Sequence, residues 1–325
     1  MTLMRSRAVP APAGLLSLFL LLLGCGPAPT GPTVLGSRCD PTFFDLSSEL
    51  TSGPAEAVLQ LNCYRKRMDA NIVSLNAALS EAAQMHAEYL AATGAWGHGE
   101  TDTSQPSFRG STPVERTEAA GYLVDENLQS VTELIGFRAS GADASKAVDL
   151  WFDTVYHRLP LAIPELEAVG FGSSGIYDVM LVVSPWEAPQ ETPEFLSNAY
   201  PVPGQTGVPL SFDTDNEVPD PMPDQQEVGF PVSLSFLDES FHTPGDLYDL
   251  IVDETQTELR DFDGAPVPSR ILSPADDELV LRSLVLIPLE PLRPQHTYTA
   301  VFAGELDESP FSRSWSFQTK LEEDD

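Results

Sequence analysis

Positive charge is scarce in this sequence. Its 325 residues include 17 Lys and Arg against 49 Asp and Glu, which gives a formal net charge of -32 at pH 7. A surface of this sign repels phosphate backbones and anionic headgroups, so we expect no nucleic-acid partner and no direct binding to anionic membrane surfaces. The hydrophobic share of 42% is normal for a globular chain, and the acidity therefore does not indicate disorder.

Established catalytic motifs are missing as well. The sequence contains neither His-Glu-x-x-His nor Gly-x-Ser-x-Gly, and no glycine-rich loop opens a helix to cradle a phosphate. Gly172-Ser173-Ser174-Gly175 lacks the spacing of a nucleophile elbow and is predicted to be a hairpin turn. The sequence therefore assigns no catalytic residue.

The apolar run at residues 14–23 is too short to cross a bilayer. Ten residues of helix span about 15 Å, against about 30 Å for the hydrocarbon core. The run follows Arg5 and Arg7 and predicts a signal peptide over residues 1–24. It ends in Leu22-Leu23-Gly24-Cys25, which resembles the bacterial lipobox, whose Cys becomes the lipidated first residue of the mature chain. The alternative is an ordinary secretory signal with a chance Cys.

Residues 25–53 are predicted to be a lipidated tether, because Pro and Gly are dense after Cys25. Gly26 follows that Cys, which resembles lipoproteins of the outer membrane. We therefore expect an extracytoplasmic protein, anchored by lipid alone to the bacterial outer membrane or cell surface.

Only three cysteines are present, and two remain once Cys25 is assigned to lipid. An even number in an oxidising compartment favours a disulfide between Cys39 and Cys63. The alternative is a pair of buried free thiols.

Residues 54–186 are predicted to form an α+β domain. Apolar spacing predicts helices over 54–67, 77–93 and 143–155, and Thr112-Pro113-Val114-Glu115 predicts the start of a further helix. Two runs at 168–172 and 176–184 are suited to antiparallel strands.

Six short motifs in this domain resemble the CAP superfamily (cysteine-rich secretory, antigen 5 and pathogenesis-related proteins, also called SCP-like). In order, they are Asn62-Cys63-Tyr64-Arg65, residues 82–88, Gly97-His98, Asp125-Glu126-Asn127, Trp151 followed by His157-Arg158, and Val169-Gly170-Phe171-Gly172. The resemblance implies an α-β-α sandwich with a central groove.

The resemblance also implies that His98, Glu126 and His157 converge in that groove. Two imidazoles and a carboxylate suit zinc with an open fourth position, or a general acid and base. The family's second acid, three residues after the Trp, is replaced here by Thr154 beside Asp153, which weakens the zinc interpretation.

Purely structural roles are the alternative for each of these three residues and for the aromatic residues predicted to line the groove. Glu126 can bond loop amides, and His157 can cap the end of the fourth helix. His86 is interpreted as a core histidine. Two segments, 95–110 and 128–142, are predicted to be irregular and to wall the groove. The predicted wall residues are Trp96, Phe108, Phe137, Asp153, Thr154 and Tyr156, and ordinary core packing is the alternative for the aromatic ones.

The remainder of the chain is predicted to differ in structure from this α+β domain. Residues 187–197 are predicted to be a linker, 198–320 an all-β Ig-like sandwich and 321–325 an acidic tail. Tyr298 is expected to hold a tyrosine-corner-like position. The acidic stretch at 213–224 is interpreted as a solvated loop, with calcium binding as the alternative.

These observations predict an extracytoplasmic lipoprotein with a CAP-like groove that binds a small molecule, lipid, polymer or protein, and that also binds zinc. One alternative is a metal-assisted hydrolase acting on a cell-envelope polymer or peptide. The other is a structural or adhesive surface protein with a degenerate CAP core.

The lipid anchor gives a first testable prediction. Cys25→Ser should move the protein from the membrane to the soluble fraction, because several acyl chains at about 0.8 kcal/mol per buried CH₂ are what hold it. Fractionation and mass spectrometry of the N-terminal peptide measure this. Unchanged membrane partition, with no acyl mass on that peptide, would contradict the lipobox interpretation.

Overall fold

The computed structural model describes residues 39–44, 53–125, 128–138, 142–186, 195–238, 250–280 and 282–321. The predicted signal peptide, Cys25, Glu126 and most of the predicted linker and acidic tail lie outside these residues. Among the described helices, none combines the length and the apolarity needed to cross a bilayer. We call the described residues from 39 to 186 the first region and those from 195 to 321 the second region.

The first region contains all the described α-helices and a three-stranded antiparallel sheet. After a 3-10 turn at Pro41–Phe44, its elements are α1 (Pro54–Arg67), α2 (Ala77–Thr93), α3 (Pro113–Ala119), β1 (Gln129–Phe137), α4 (Ala144–Asp153), α5 (Arg158–Ala162), β2 (Ala168–Ser174) and β3 (Tyr177–Pro185).

Helix ends follow the local chemistry that the sequence predicts. The Asn76 side chain accepts hydrogen bonds from the Ala78 and Leu79 amides at the start of α2, and Gly94 ends that helix with φ of 66°. Thr112 accepts from the Glu115 amide at the start of α3. These local interactions explain why the predicted helix boundaries are close to the observed ones.

One prediction about the first region is wrong. Residues 128–142 are expected to be irregular, but Gln129–Phe137 forms β1, an edge strand of the sheet order β1-β3-β2. The strand alternates in part, yet Glu133 stands where an inward apolar residue is expected. Its carboxylate is buried because partners far away in the sequence satisfy it, as described below.

The sheet lies between two helical layers. Alternate residues of β3 face α2 on one side, and the others face α1 and α4 on the opposite side. Gly170 and Gly172 let β2 approach α2 closely, because a Cβ at either position would collide with the backbone of that helix. The α-β-α sandwich that the resemblance implies is therefore confirmed.

Cys39 and Cys63 form the predicted disulfide, with their Cα atoms 5.8 Å apart. The Gln60 side chain also donates to the Cys39 carbonyl oxygen at 2.9 Å. The segment that precedes α1 is thereby fixed to that helix.

The second region is all β, apart from a 3-10 turn at Thr214–Asn216. Its strands are β4 (Phe195–Tyr200), β5 (Ser211–Asp213), β6 (Glu227–Gly229), β7 (Val232–Asp238), β8 (Leu250–Val252), β9 (Glu258–Arg260), β10 (Pro266–Val267), β11 (Ser269–Leu272), β12 (Ser283–Pro288), β13 (Thr297–Leu306) and β14 (Ser309–Gln318).

These strands form separate antiparallel sheets. One has the order β10-β9-β13-β14 with β8 also on β13, one has the order β11-β12-β7-β4, and β5 pairs with β6. Tyr298 accepts a hydrogen bond from the Arg293 amide at 2.9 Å, the kind of contact expected of a tyrosine corner. The Ig-like identity of this region stays a prediction. Strand β4 begins inside the segment predicted to be a linker.

The two regions share one buried seam. The Arg158 guanidinium lies 4.9 Å from the centre of the Tyr200 ring and 4.8 Å from that of Phe230. Arg158 also donates to the carbonyl oxygens of Phe152 and Pro231, both at 2.7 Å. Burial lowers the pKa of Arg158 to about 10. The described residues accordingly fall in a single compact unit rather than two.

Candidate functional site

A cleft of about 550 Å³ opens where the two regions meet. Its size is within the range of small-molecule sites. The first region contributes Trp96, Gly97, His98, Ile135, Gly136, Phe137, Ala147, Leu150, Trp151, Asp153, Thr154 and His157, and the second contributes Pro209, Ser211, Phe212, Asp213, Asp215, Asn216 and Val218.

Most of the predicted groove residues that the structure describes line this cleft, including both His98 and His157. Two predicted wall residues lie elsewhere. Phe108 packs beside α2, and Tyr156 packs against the second region and donates its hydroxyl to Asp277 at 2.6 Å. Glu126 lies outside the described residues.

His98 is held by a buried carboxylate. Its Nδ1 lies 3.0 Å from Oε1 of Glu133, and the His98 side chain is 57% exposed while that of Glu133 is buried. Arg116 donates from Nη2 to both oxygens of Glu133, at 2.9 and 2.8 Å. His98 therefore projects from a charged pair that is itself fixed inside the first region.

This pair belongs to a larger buried cluster. The His86 ring places Nδ1 2.9 Å from Glu100 and Nε2 3.5 Å from Glu133. Arg116 Nε lies 3.7 Å from Glu100, so one guanidinium faces both acids. His86 is buried, as its interpretation as a core residue requires, but its environment is polar.

The electrostatics of this cluster favour the ionised form of Glu133. Burial by itself would raise the pKa of Glu133, but the hydrogen bond with His98 and the charges of His86 and Arg116 outweigh it and lower the pKa below 4.5. The carboxylate is thus kept as an acceptor for His98.

His157 is held by a carboxylate from the other region. Its Nδ1 lies 2.8 Å from Oε1 of Glu217, which also accepts from the His157 amide at 3.0 Å. The second oxygen of Glu217 accepts from the Val155 amide at 2.5 Å. His157 lies at the start of α5 rather than at the end of α4, which does not support the alternative that it caps α4.

Glu217 belongs to the acidic stretch at 213–224, and its burial contradicts the interpretation of that stretch as wholly solvated. Asp220 is also engaged, accepting from the Met222 amide at 2.6 Å. Among the residues that the structure describes, no group of three or more His, Cys, Asp or Glu side chains is arranged to hold a metal ion.

Both cleft imidazoles share one arrangement. A carboxylate accepts a hydrogen bond at Nδ1, so in the neutral ring Nδ1 carries the proton and Nε2 keeps a lone pair. This arrangement is typical of imidazoles that bind a metal, accept a hydrogen bond from a ligand or act as a base. Thr154 adds a longer contact to His157 Nδ1, at 3.4 Å.

The fit to zinc is incomplete in the described residues. A zinc site with an open position uses three protein ligands, and the cleft offers two oriented imidazoles without a third ligand beside them. Glu126, the third member of the predicted set, lies outside the described residues. We therefore assign no reaction step to a metal.

Sequence reasoning missed both orienting acids. The sequence indicates a special role for Glu133 only weakly, as a lone acid between apolar residues of a strand. It gives no indication that Glu217 contacts His157, because 60 residues separate the two. Only the packing of the second region against the first brings that pair together.

One family model matches part of the first region. Residues 59–183 match the CAP family, described as the cysteine-rich secretory protein family. A solved extracellular protein with an SCP domain from Bacillus anthracis str. Ames aligns at 15% identity with a TM-score of 0.35, over 40% of this chain and 39% of its own length. No curated protein matches the chain. His98 and His157 lie within the family match, whereas Glu217 lies outside it.

The buried cluster predicts a dependence of stability on pH. Because the pKa of Glu133 is lowered, its contribution is complete above its ordinary pKa of 4.5 and is lost as the pH falls below that value. Glu133→Gln should lower the free energy of unfolding by about 3 kcal/mol at neutral pH, and by less in acid. Denaturant titrations from pH 7 to pH 3 measure this.

Glu118→Gln is the matched control, since Glu118 is exposed on the neighbouring helix α3. It should change the free energy of unfolding little at any pH. A Glu133→Gln deficit that stays constant down to pH 3 would contradict the assignment of an ionised carboxylate.

Proposed function

We propose that the protein is an extracytoplasmic ligand-binding protein whose ligand occupies the cleft between the two regions. The observation that carries this proposal is the pair of imidazoles lining one cleft, each held at Nδ1 by a buried carboxylate. Such preorganised polar groups in a largely apolar pocket are what small-molecule recognition requires.

An extracytoplasmic location is supported by two observations. The family that matches residues 59–183 is described as secretory, and the Cys39–Cys63 disulfide suits an oxidising compartment. The lipid anchor at Cys25 remains part of the proposal and rests on the sequence alone.

The contacts that hold the cleft favour recognition with little rearrangement. Glu217 bonds two backbone amides and one imidazole, and so ties the 213–217 segment to the end of α4. Arg116 and Glu133 fix His98 within the first region. A ligand that donates a hydrogen bond to Nε2 of either ring would therefore find it already oriented, which lowers the entropic cost of binding.

A hydrolase is the second candidate, because a histidine oriented by a carboxylate also suits a general base or a metal ligand. Cleavage of a cell-wall polymer or peptide that is lost in Glu126→Gln would favour this candidate. A zinc ion bound by His98, Glu126 and His157 would supply a polarised water, but the described residues alone do not complete that site.

Zinc titration tests the metal part of the proposal. We expect weak zinc binding by the wild-type protein at pH 7.5, lower affinity below pH ~6.5 because imidazoles must be neutral to ligate, and loss in His98→Ala and His157→Ala. Calorimetry measures this. His296→Ala is the control, since His296 does not line the cleft. Equal zinc binding by all three variants would remove zinc from the cleft.

Recovery of the natural occupant tests ligand binding itself. Protein isolated from its own membranes should carry an organic molecule detectable by mass spectrometry, with at least tenfold less in a Trp96→Ala/His157→Ala variant of unchanged thermal stability. Both residues line the cleft, so the double variant removes the apolar contact of Trp96 and the polar contact of His157 together. His296→Ala should retain the molecule. Equal recovery from all three proteins would contradict a cleft-bound ligand.

A further inference from the structure

We propose that the ligand of this cleft is an apolar organic cation, an ammonium group carried on an alkyl or aromatic body. The inference rests on the proposed binding function and adds its chemical class. Three features of the cleft carry it: an exposed aromatic stack, two exposed aspartates from the second region, and a lack of basic side chains among the described lining residues.

The aromatic stack is formed by Trp96 and Phe137. Their ring centres are 4.8 Å apart with an interplanar angle of 16°, and the two residues are 56% and 47% exposed. Leu150 and Val218 add exposed apolar surface to the same cleft. A contiguous apolar surface of this kind is typical of a binding site, and an indole face is the best cation–π partner among the side chains.

The charges of the cleft select the sign of the ligand. Asp153 lies at the end of α4 in the first region, whereas Asp213 and Asp215 come from the second region. Among the described residues that line the cleft, none is Lys or Arg. A carboxylate ligand would be repelled by Asp213 and Asp215, whereas an ammonium group is attracted by them and by the aromatic faces.

The acidic segment is held in place before any ligand arrives. Asp213 accepts a hydrogen bond from the Asp215 amide at 3.1 Å, and Asp215 accepts from the Gln226 side chain at 3.0 Å. Glu217 then anchors the end of the segment to the first region. The two aspartates and the aromatic stack line the same cleft, so a cation with an apolar body can contact both.

The two imidazoles do not offset this negative charge while they are neutral. Each Nδ1 proton points to a carboxylate, so each ring offers the cleft a lone pair at Nε2. A primary or secondary ammonium can donate to that lone pair, whereas a carboxylate ligand cannot.

Three probes with the same alkyl chain test the charge selection: octyltrimethylammonium, octanoate and octyl glucoside, each below its micelle concentration. Calorimetry on the Cys25→Ser protein in 0.15 M salt should give at least tenfold tighter binding of the cation than of either other probe, a difference of about 1.4 kcal/mol. Tighter or equal binding of octanoate or octyl glucoside would overturn the proposal.

Variants locate the binding. Asp213→Asn/Asp215→Asn should weaken cation binding at least tenfold, and Trp96→Ala should do the same while Trp96→Phe retains part of the affinity. The control Glu254→Gln/Asp263→Asn removes two exposed acids elsewhere in the second region and should leave the affinity unchanged. An equal loss in this control would show attraction by net charge alone and would overturn the assignment to the cleft.

The outcomes separate this proposal from the function on which it rests. If octanoate or octyl glucoside binds best and Trp96→Ala abolishes that binding, the cation is wrong and the ligand-binding cleft stands. If none of the three probes binds, the cation is wrong, and recovery of a native occupant decides the binding function independently.

Discussion

The buried Arg158 is the contact on which the rest of the molecule depends. Its guanidinium contacts the rings of both Tyr200 and Phe230 and donates to carbonyl oxygens of both regions. A shift of the second region would remove the Pro231 acceptor from Nη1 and expose the cation, and leaving a buried charged donor without its partner is costly. The next residue back along the chain is His157, which this seam places at the edge of the cleft.

The cleft is composite for the same reason. Thr154, which follows helix α4, cannot act as a charged partner for His157, and Glu217 of the second region supplies that carboxylate instead. His98 obtains its carboxylate within the first region, from Glu133 on β1. Two regions of unlike architecture thus produce the same local arrangement, a proton fixed on Nδ1 and a lone pair left on Nε2.

This composite origin limits what the match between residues 59–183 and the CAP family can say about the ligand. The residues that match the CAP family include both cleft imidazoles and the Trp96–Phe137 stack, but Asp213 and Asp215 lie beyond the match. The acids that would select an organic cation therefore belong to a part of the chain that the comparison does not reach. Ligand class follows from the site and not from the fold.

The sequence by itself determined the helices, whose formation depends on residues close to one another in the chain. Periodicity and capping residues such as Asn76 and Thr112 set the helices, because their interactions lie within one turn. The motifs also indicated His98 and His157. Tertiary structure alone decided which acids orient these rings, since Glu133 and Glu217 lie 35 and 60 residues away from them. It also decided that the second region closes the cleft. That wall depends on packing between distant segments, and the sequence of neither segment indicates this packing.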